Sequence, residues 1–293
     1  MTGRGRRQPT SDGLLPTSHC SPAVGLLEFE SEYWNIMIGG PMKRLLTLVV
    51  LLIASGGAAP TPPVAYKVIP VENGGWITGR IVYTGPRAQR KEIMPTVDAP
   101  VCGQHGMIPS DELVVSSGGG LQYAVVRITN ITAGRPASDI PPTLFLQKGC
   151  MFEPHVFAVA VGTAVKERNT DGILHNVHTH SSRNPSVNFA HPPSVPEVPL
   201  ASFAVPESVK VTCDVHSWMS AWIWVSRHPY IAVTGADGTY KIAGVPPGQY
   251  RLEVWHESLG KSSREAVVTA GRETRIDMSL PVSSAKPGIP GKK

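Results

Sequence analysis

The chain has 293 residues, 41% of them hydrophobic, with 29 glycines, 28 prolines and only 6% aromatics. That length allows one large or two ordinary domains with a real apolar core, and the abundance of Gly and Pro favours many short strands and turns over a helical bundle. A net charge of +5 is too small and too dispersed for a nucleic-acid-binding surface.

Met42-Lys-Arg44, the apolar run Leu45 to Ala54 and the small residues Ser55-Gly-Gly-Ala-Ala59 have the charged, apolar and cleavage regions of a secretory signal peptide, so residues 42–58 are expected to direct export and to be cut after Ala58. A membrane anchor is the alternative, but this apolar run falls short of the ~20 residues that a bilayer needs. Because a signal normally begins a chain, translation is expected to start at Met42, leaving residues 1–41 as a non-native leader without a fold. The remainder keeps a mild net positive charge, part of it in Lys286, Lys292 and Lys293.

The Pro-rich stretch 59–73 reads as a linker. Gly75 to Thr84 is rich in β-branched and aromatic residues and reads as a strand. After a polar stretch from Gly85 to Ser110, Leu113 to Val115 and Leu121 to Ile131 give two more strands, so 74–142 forms an N-terminal β segment. Further strands follow at Thr143 to Gln147, His155 to Val161, Ala164 to Asn169 and Leu174 to His178. The segment Asn184 to Pro206 holds six prolines, which removes ladder donors and predicts a long surface loop. Val209 to Thr212 and Ala221 to Val225 are strands on either side of a short loop. Ile231 to Ile242 reads as a hairpin about Asp237-Gly238, and Gln249 to Trp255 and Arg272 to Leu280 supply the last strands. The tail 283–293, rich in Pro, Gly and Lys, is expected to fray. The fold class is all-β.

The short loop carries Cys213-Asp-Val-His216-Ser-Trp-Met219, and His175-Asn-Val-His178 stands 38 residues before its cysteine. One thiolate, two imidazoles and one thioether are the donor set of a trigonal copper site with a weak axial ligand, which suits both Cu(I) and Cu(II). A lone C-x2-H-x2-M would also fit a buried Cys, a surface His and a core Met, but the upstream H-N-V-H makes coincidence much less plausible. His178, His180 and His191 are spare imidazoles near this site and read as ordinary surface histidines. His256-Glu257 lacks a partner constellation and reads as a solvated strand end. Trp218, Trp222 and Trp224 alternate around a strand, so at least one is expected to pack inside while another stays exposed. With Cys213 assigned to metal, Cys102 and Cys150 are left to pair as a disulfide in an oxidising compartment. The rival is a second metal site built from Cys102, His105, Cys150 and His155.

Residues 143–226 resemble a cupredoxin, a Greek-key β-sandwich, and are similar to amicyanin and pseudoazurin in the segment Glu153 to Val165, in His175-Asn-Val-His178 and in the Cys213-x2-His216-x2-Met219 spacing. That resemblance implies one type-1 copper held by His175, Cys213 and His216 in the plane and by Met219 on the axis. It gives Asn176 a supporting role, bonding the two ligand-bearing segments together near the thiolate. Residues 227–282, with Asp237-Gly-Thr-Tyr and Val245-Pro-Pro-Gly-Gln-Tyr250, look like a transthyretin-like, carboxypeptidase-regulatory-like β-sandwich. The usual first two strands of that family resemble Gly75 to Thr84 and Leu121 to Ile131, which implies a cupredoxin inserted between halves of the other sandwich. As a whole the chain resembles exported bacterial proteins often labelled methylamine-utilisation or plastocyanin-like.

The expected function is electron carriage in the periplasm, with a soluble or membrane redox protein as partner and no nucleic acid or small-molecule substrate. No G-x-S-x-G or phosphate-cradling glycine loop occurs, and a metal saturated by protein donors leaves no position for a substrate, so no enzyme activity is expected. His216 with Trp218 is the expected docking point for the partner. The alternatives are a copper-handling protein that does not shuttle electrons and a structural or adhesion module whose site stays empty.

Overall fold

Alternation of apolar and polar residues decides most of the strands in the computed structural model, which describes residues 65–282. The leader, the signal-like segment, most of the linker and the tail at 283–293 lie outside the described residues. Among the described residues the helical elements are one turn at Ala99–Cys102 and a short 3-10 turn at Ala137–Asp139; the rest of the ordered backbone is β.

Two sheets enclose the core around the candidate site. One runs Val198–Ser202, Ala164–Asn169, Leu144–Lys148, Met151–Glu153, and the other runs Asn188–His191, His175–His180, Glu207–Thr212, Ser220–Ser226, Val156–Ala160. Phe145, Phe152, Phe157, Val177, Val211 and Ile223 fill the space between. The period-two rule that places Val209 and Val211 inward also sends Trp222 and Trp224 to the opposite face of their strand.

The segment 184–206 is not a plain loop. It contributes Asn188–His191 and Val198–Ser202, both edge strands of their sheets. An edge strand needs hydrogen bonds on one side only, and Pro199 pairs with Lys166 where the register shifts by a bulge, so the missing N–H breaks nothing.

A second pair of sheets takes strands from both ends of the described chain. Val125–Ile128 lies between Ile231–Val233 and Gly248–His256, which pairs on with Gly260–Val268. Gly75–Tyr83 pairs with Thr239–Val245 on one side and with Glu273–Arg275 and Met278–Leu280 on the other. Ile77, Ile81, Val126, Ile128, Leu252 and Val254 form its core. Three expectations change here, the first being the strand expected over Leu113 to Val115, of which only an isolated bridge between Val115 and Leu121 forms. Ile231–Val233 and Thr239–Val245 do not form a hairpin; the chain turns at Gly238, with φ of 82°, and passes from one sheet to the other, because each strand finds a separate antiparallel partner in the earlier segment. The strand expected over Leu121 to Ile131 is confined to Val125–Ile128, since Tyr123 adopts a φ of 63° and the chain departs after a last backbone bond from Thr129 N–H to Arg251 O.

The two sandwiches meet along the outer face of Val156–Ala160 and Ser220–Ser226. Trp255 sits edge-on to both Trp222 and Trp224, at 5.0 and 5.2 Å between ring centroids, with Val125 and Val156 beside them. Glu257 bonds the His155 ring, and its other oxygen accepts from Trp222 Nε1 at 2.9 Å. His256, expected at a solvated strand end with Glu257, is 1% exposed. Both residues are covered because the strand ends at this junction.

Candidate metal centre

Cys213 follows directly on Glu207–Thr212, and Met219 immediately precedes Ser220–Ser226, so two adjacent antiparallel strands fix both ends of the seven-residue loop. Three hydrogen bonds close it: Cys213 N–H to Met219 O at 3.2 Å, Met219 N–H to His216 O at 2.9 Å and His216 N–H to Cys213 Sγ at 3.4 Å. His175 opens His175–His180, the neighbour of the first of these strands.

The donors converge. His175 Nδ1 lies 2.9 Å from His216 Nδ1, and Cys213 Sγ lies 3.7 Å from the same nitrogen. Bonds of ~2.0 Å to nitrogen and ~2.3 Å to sulfur in a trigonal plane separate donors by roughly this range, so a metal fits with a small outward movement of the rings. Cys213 is 2% exposed, while His175, His216 and Met219 have no exposed surface. The chemistry of the set, one soft thiolate with two imidazoles beside a buried thioether, suits copper.

Each imidazole turns its outer nitrogen to a carboxylate. His175 Nε2 lies 2.9 Å from Asp171 Oδ2, and His216 Nε2 lies 2.9 Å from Asp98 Oδ2. Asp171 is itself pinned by the N–H groups of Gly149 and Cys150, at 2.6 and 2.8 Å. Such carboxylate–imidazole pairs fix ring orientation and raise ligand basicity. Neither aspartate was singled out from the sequence. Asp171 had a usable signal, a turn carboxylate four residues before a ligand; Asp98, far away in the chain, had none.

Burial pulls the His175 imidazole down, but hydrogen bonds to Asp171 and Cys213 outweigh it and hold the ring at about 9. Burial pushes the Cys213 thiol up, and the bonds from His175 and from backbone N–H groups more than reverse this, leaving it below the ordinary thiol value. His216 is lowered, chiefly by burial, against the pull of Asp98. The His175 and Cys213 shifts both favour loss of the thiol proton, which gives the form in which the sulfur binds a cation.

Asn176 joins the ligand segments: its Oδ1 accepts from Asp214 N–H at 3.0 Å, and its Nδ2 donates to Asn188 Oδ1 and Phe189 O at 2.7 and 3.0 Å. The spare histidines stand apart from the donors. His178 bonds Asp214 on the sheet surface, and the buried His191 bonds Glu167. The sulfurs of Cys102 and Cys150 are joined to each other, so the rival metal site has no thiolates; His105 is exposed, and His155 lies at the junction between sandwiches.

The expected docking point is altered. His216 does not reach the surface, because the segment carrying Asp98 lies over its outer edge and is tied to the Cys150 turn through Cys102. Trp218 is half-buried, its ring centroid 5.1 Å from that of His216 and its indole N–H donating to Cys150 O at 3.0 Å.

Residues 223–281 match the carboxypeptidase regulatory-like domain. No curated protein matches the chain. Solved structures similar to part of it include a copper-containing nitrite reductase from Thermus scotoductus SA-01, at 22% identity and a TM-score of 0.24, covering 29% of this chain and 22% of that one. The chain therefore spans about a fifth of the length of that reductase. A purple cupredoxin from Nitrosopumilus maritimus shares 17% identity at a TM-score of 0.21, covering 29% of this chain and 99% of that one. A reduced amicyanin variant shares 17% identity at a TM-score of 0.24, covering 31% and 90%.

Proposed function

We propose that the chain holds one copper ion through His175, Cys213, His216 and Met219, and that it passes single electrons to and from a soluble or membrane redox protein. The observation that carries this reading is the convergence of two imidazole nitrogens and a thiol sulfur, all buried, at the mouth of a loop that also buries Met219. Copper in such a set moves between Cu(I) and Cu(II) with little rearrangement. The chain's part is to keep the donors where both states accept them: two strands hold the loop ends, Asn176 ties the loop to the His175 strand, and Asp171 and Asp98 hold the rings. Four protein donors leave no place for a substrate, which favours a carrier over an enzyme. The Cys102–Cys150 disulfide suits the oxidising exterior to which the segment 42–58 would direct the chain.

A second reading, copper holding without electron exchange, is favoured by one observation: Asp98 covers the edge of His216 through which a partner would otherwise approach. Reconstitution with Cu2+ decides between them. Carriage predicts an intense visible thiolate-to-copper band, a reversible potential and exchange with a small redox protein, and holding predicts bound copper without exchange. Cys213→Ser should abolish the band, and Met219→Leu should keep it and raise the potential, since loss of a weak donor favours Cu(I). An unchanged spectrum in Cys213→Ser would sink the ligand assignment.

A further inference from the structure

Two more histidines stand on the strand His175–His180. Residues two apart on a strand share a face, and His178 and His180 point to the outside of the sheet while Thr179 between them is buried. Their ring centroids are 4.2 Å apart with planes inclined by 31°. Asp214, half-exposed on the adjoining loop, brings a carboxylate to the pair, with Oδ1 at 3.1 Å from His178 Nδ1. Asn188 donates to the other oxygen at 2.9 Å and is fixed by Asn176 at 2.7 Å. His180 Nε2 lies 2.8 Å from Thr212 Oγ1. Lys210, opposite His180 across the ladder, has its ammonium 6.0 Å from the Trp222 ring.

Two imidazoles and a carboxylate on one open face, with water to complete the shell, form a nitrogen–oxygen donor set suited to Zn2+ or Cu2+ and poorly suited to Cu(I), which prefers softer ligands. The i, i+2 spacing makes the pair a chelate, so the second nitrogen binds without the entropy cost of bringing in another ligand. Asp214 is already held at His178 by Asn188, which lowers the ordering cost of that one donor. We propose that His178, His180 and Asp214 form a surface site for a divalent transition cation, separate from the buried centre. In the metal-free chain the donor atoms of the three do not all lie within 4.8 Å of one another, so binding turns the His180 ring from Thr212 toward His178 and Asp214 and exchanges these bonds for metal bonds, with no redox step.

The site is tested by adding Zn2+ to the full chain, labelled with nitrogen-15, and following the imidazole signals. The same titration on Cys213→Ser, which lacks the thiolate of the buried centre, keeps the result independent of the copper reading. His178 and His180 should shift in both proteins, while His105, an exposed histidine outside this strand, should stay in place at the same Zn2+ concentration. His178→Gln and His180→Gln should each weaken surface binding by at least about tenfold, on the scale of disturbing a ligand's surroundings, with far-UV circular dichroism unchanged. Asp214→Asn should weaken it by a smaller factor. Unmoved His178 and His180 signals, or full Zn2+ affinity retained in the variant carrying both glutamines, would overturn the proposal.

Discussion

The two carboxylates behind the ligand imidazoles distinguish this centre at the level of single residues. Burial pushes the Asp171 carboxyl up, but its bond to the His175 ring and those from the Cys150 and Gly149 N–H groups hold it below the ordinary carboxyl value. Its charge raises the basicity of the ring it faces. Asp171→Ala should therefore weaken copper by about 10–100-fold and raise the potential, because a less basic imidazole stabilises Cu(II) less. Asp171→Asn, which keeps an acceptor without the charge, should fall between. Competition against a chelator of known affinity and voltammetry measure the two effects; equal affinity in all three proteins would mean that the aspartate only holds the turn. The donors themselves were legible in the sequence because their chemistry is tied to spacing, C-x2-H-x2-M and H-N-V-H. Asp98 was not, since nothing local marks a residue that reaches His216 from 118 positions away.

Among the elements, the segment from Asp98 to Cys102 has the largest consequence. It is a single helical turn, entered through Asp98 with φ of 49°, and its hold on the site is the bond from Cys102 to Cys150 across a separation of 48 residues. Breaking that link with Cys102→Ser and Cys150→Ser should cost ~2–4 kcal/mol of stability through the unfolded chain. It should also free the Asp98 cover, so electron exchange with a small redox protein should speed up while the visible band persists. Slower exchange with an intact band would mean that partners dock on the cover itself. Strands whose apolar residues alternate, such as Ala164–Asn169 and Glu207–Thr212, could be read directly. Gly260–Val268 could not: it is an edge strand with polar residues over most of its length, and edge strands need only one bonded side and one apolar stripe. The false hairpin at Asp237-Gly238 failed for a related reason, because a turn signal fixes a reversal but not which strands pair across it.

Over the whole molecule, the sandwich that carries the candidate metal centre leans on the other through the Trp222, Trp224 and Trp255 cluster and through Glu257, which joins His155 to Trp222. Long-range pairing of 75–83 and 125–128 with strands after residue 231 closes the second sandwich around its core. Two histidines in this half, the buried His256 and the half-buried His228, give the fold an acid limit. Burial pulls His256 from the usual 6.5 to about 4, against the opposing pull of Glu257. Burial, with Arg127 and Arg227 adding to it, takes His228 to about 4 as well. In the window between these values the unfolded chain binds protons that the folded chain refuses, so stability rises with pH there. The contribution is complete above 6.5 and is lost as pH falls toward 4, on the order of a few kcal/mol for each group. His175 in the metal-free chain is raised to about 9, so its own contribution is fully present below 6.5 and adds little slope in that window. The metal-free protein should therefore show a falling Tm from pH 6.5 to 4, and His228→Gln and His256→Gln, having lost the titrating group, should each flatten the curve. A curve as steep in both variants as in the unmodified chain would place the acid sensitivity elsewhere.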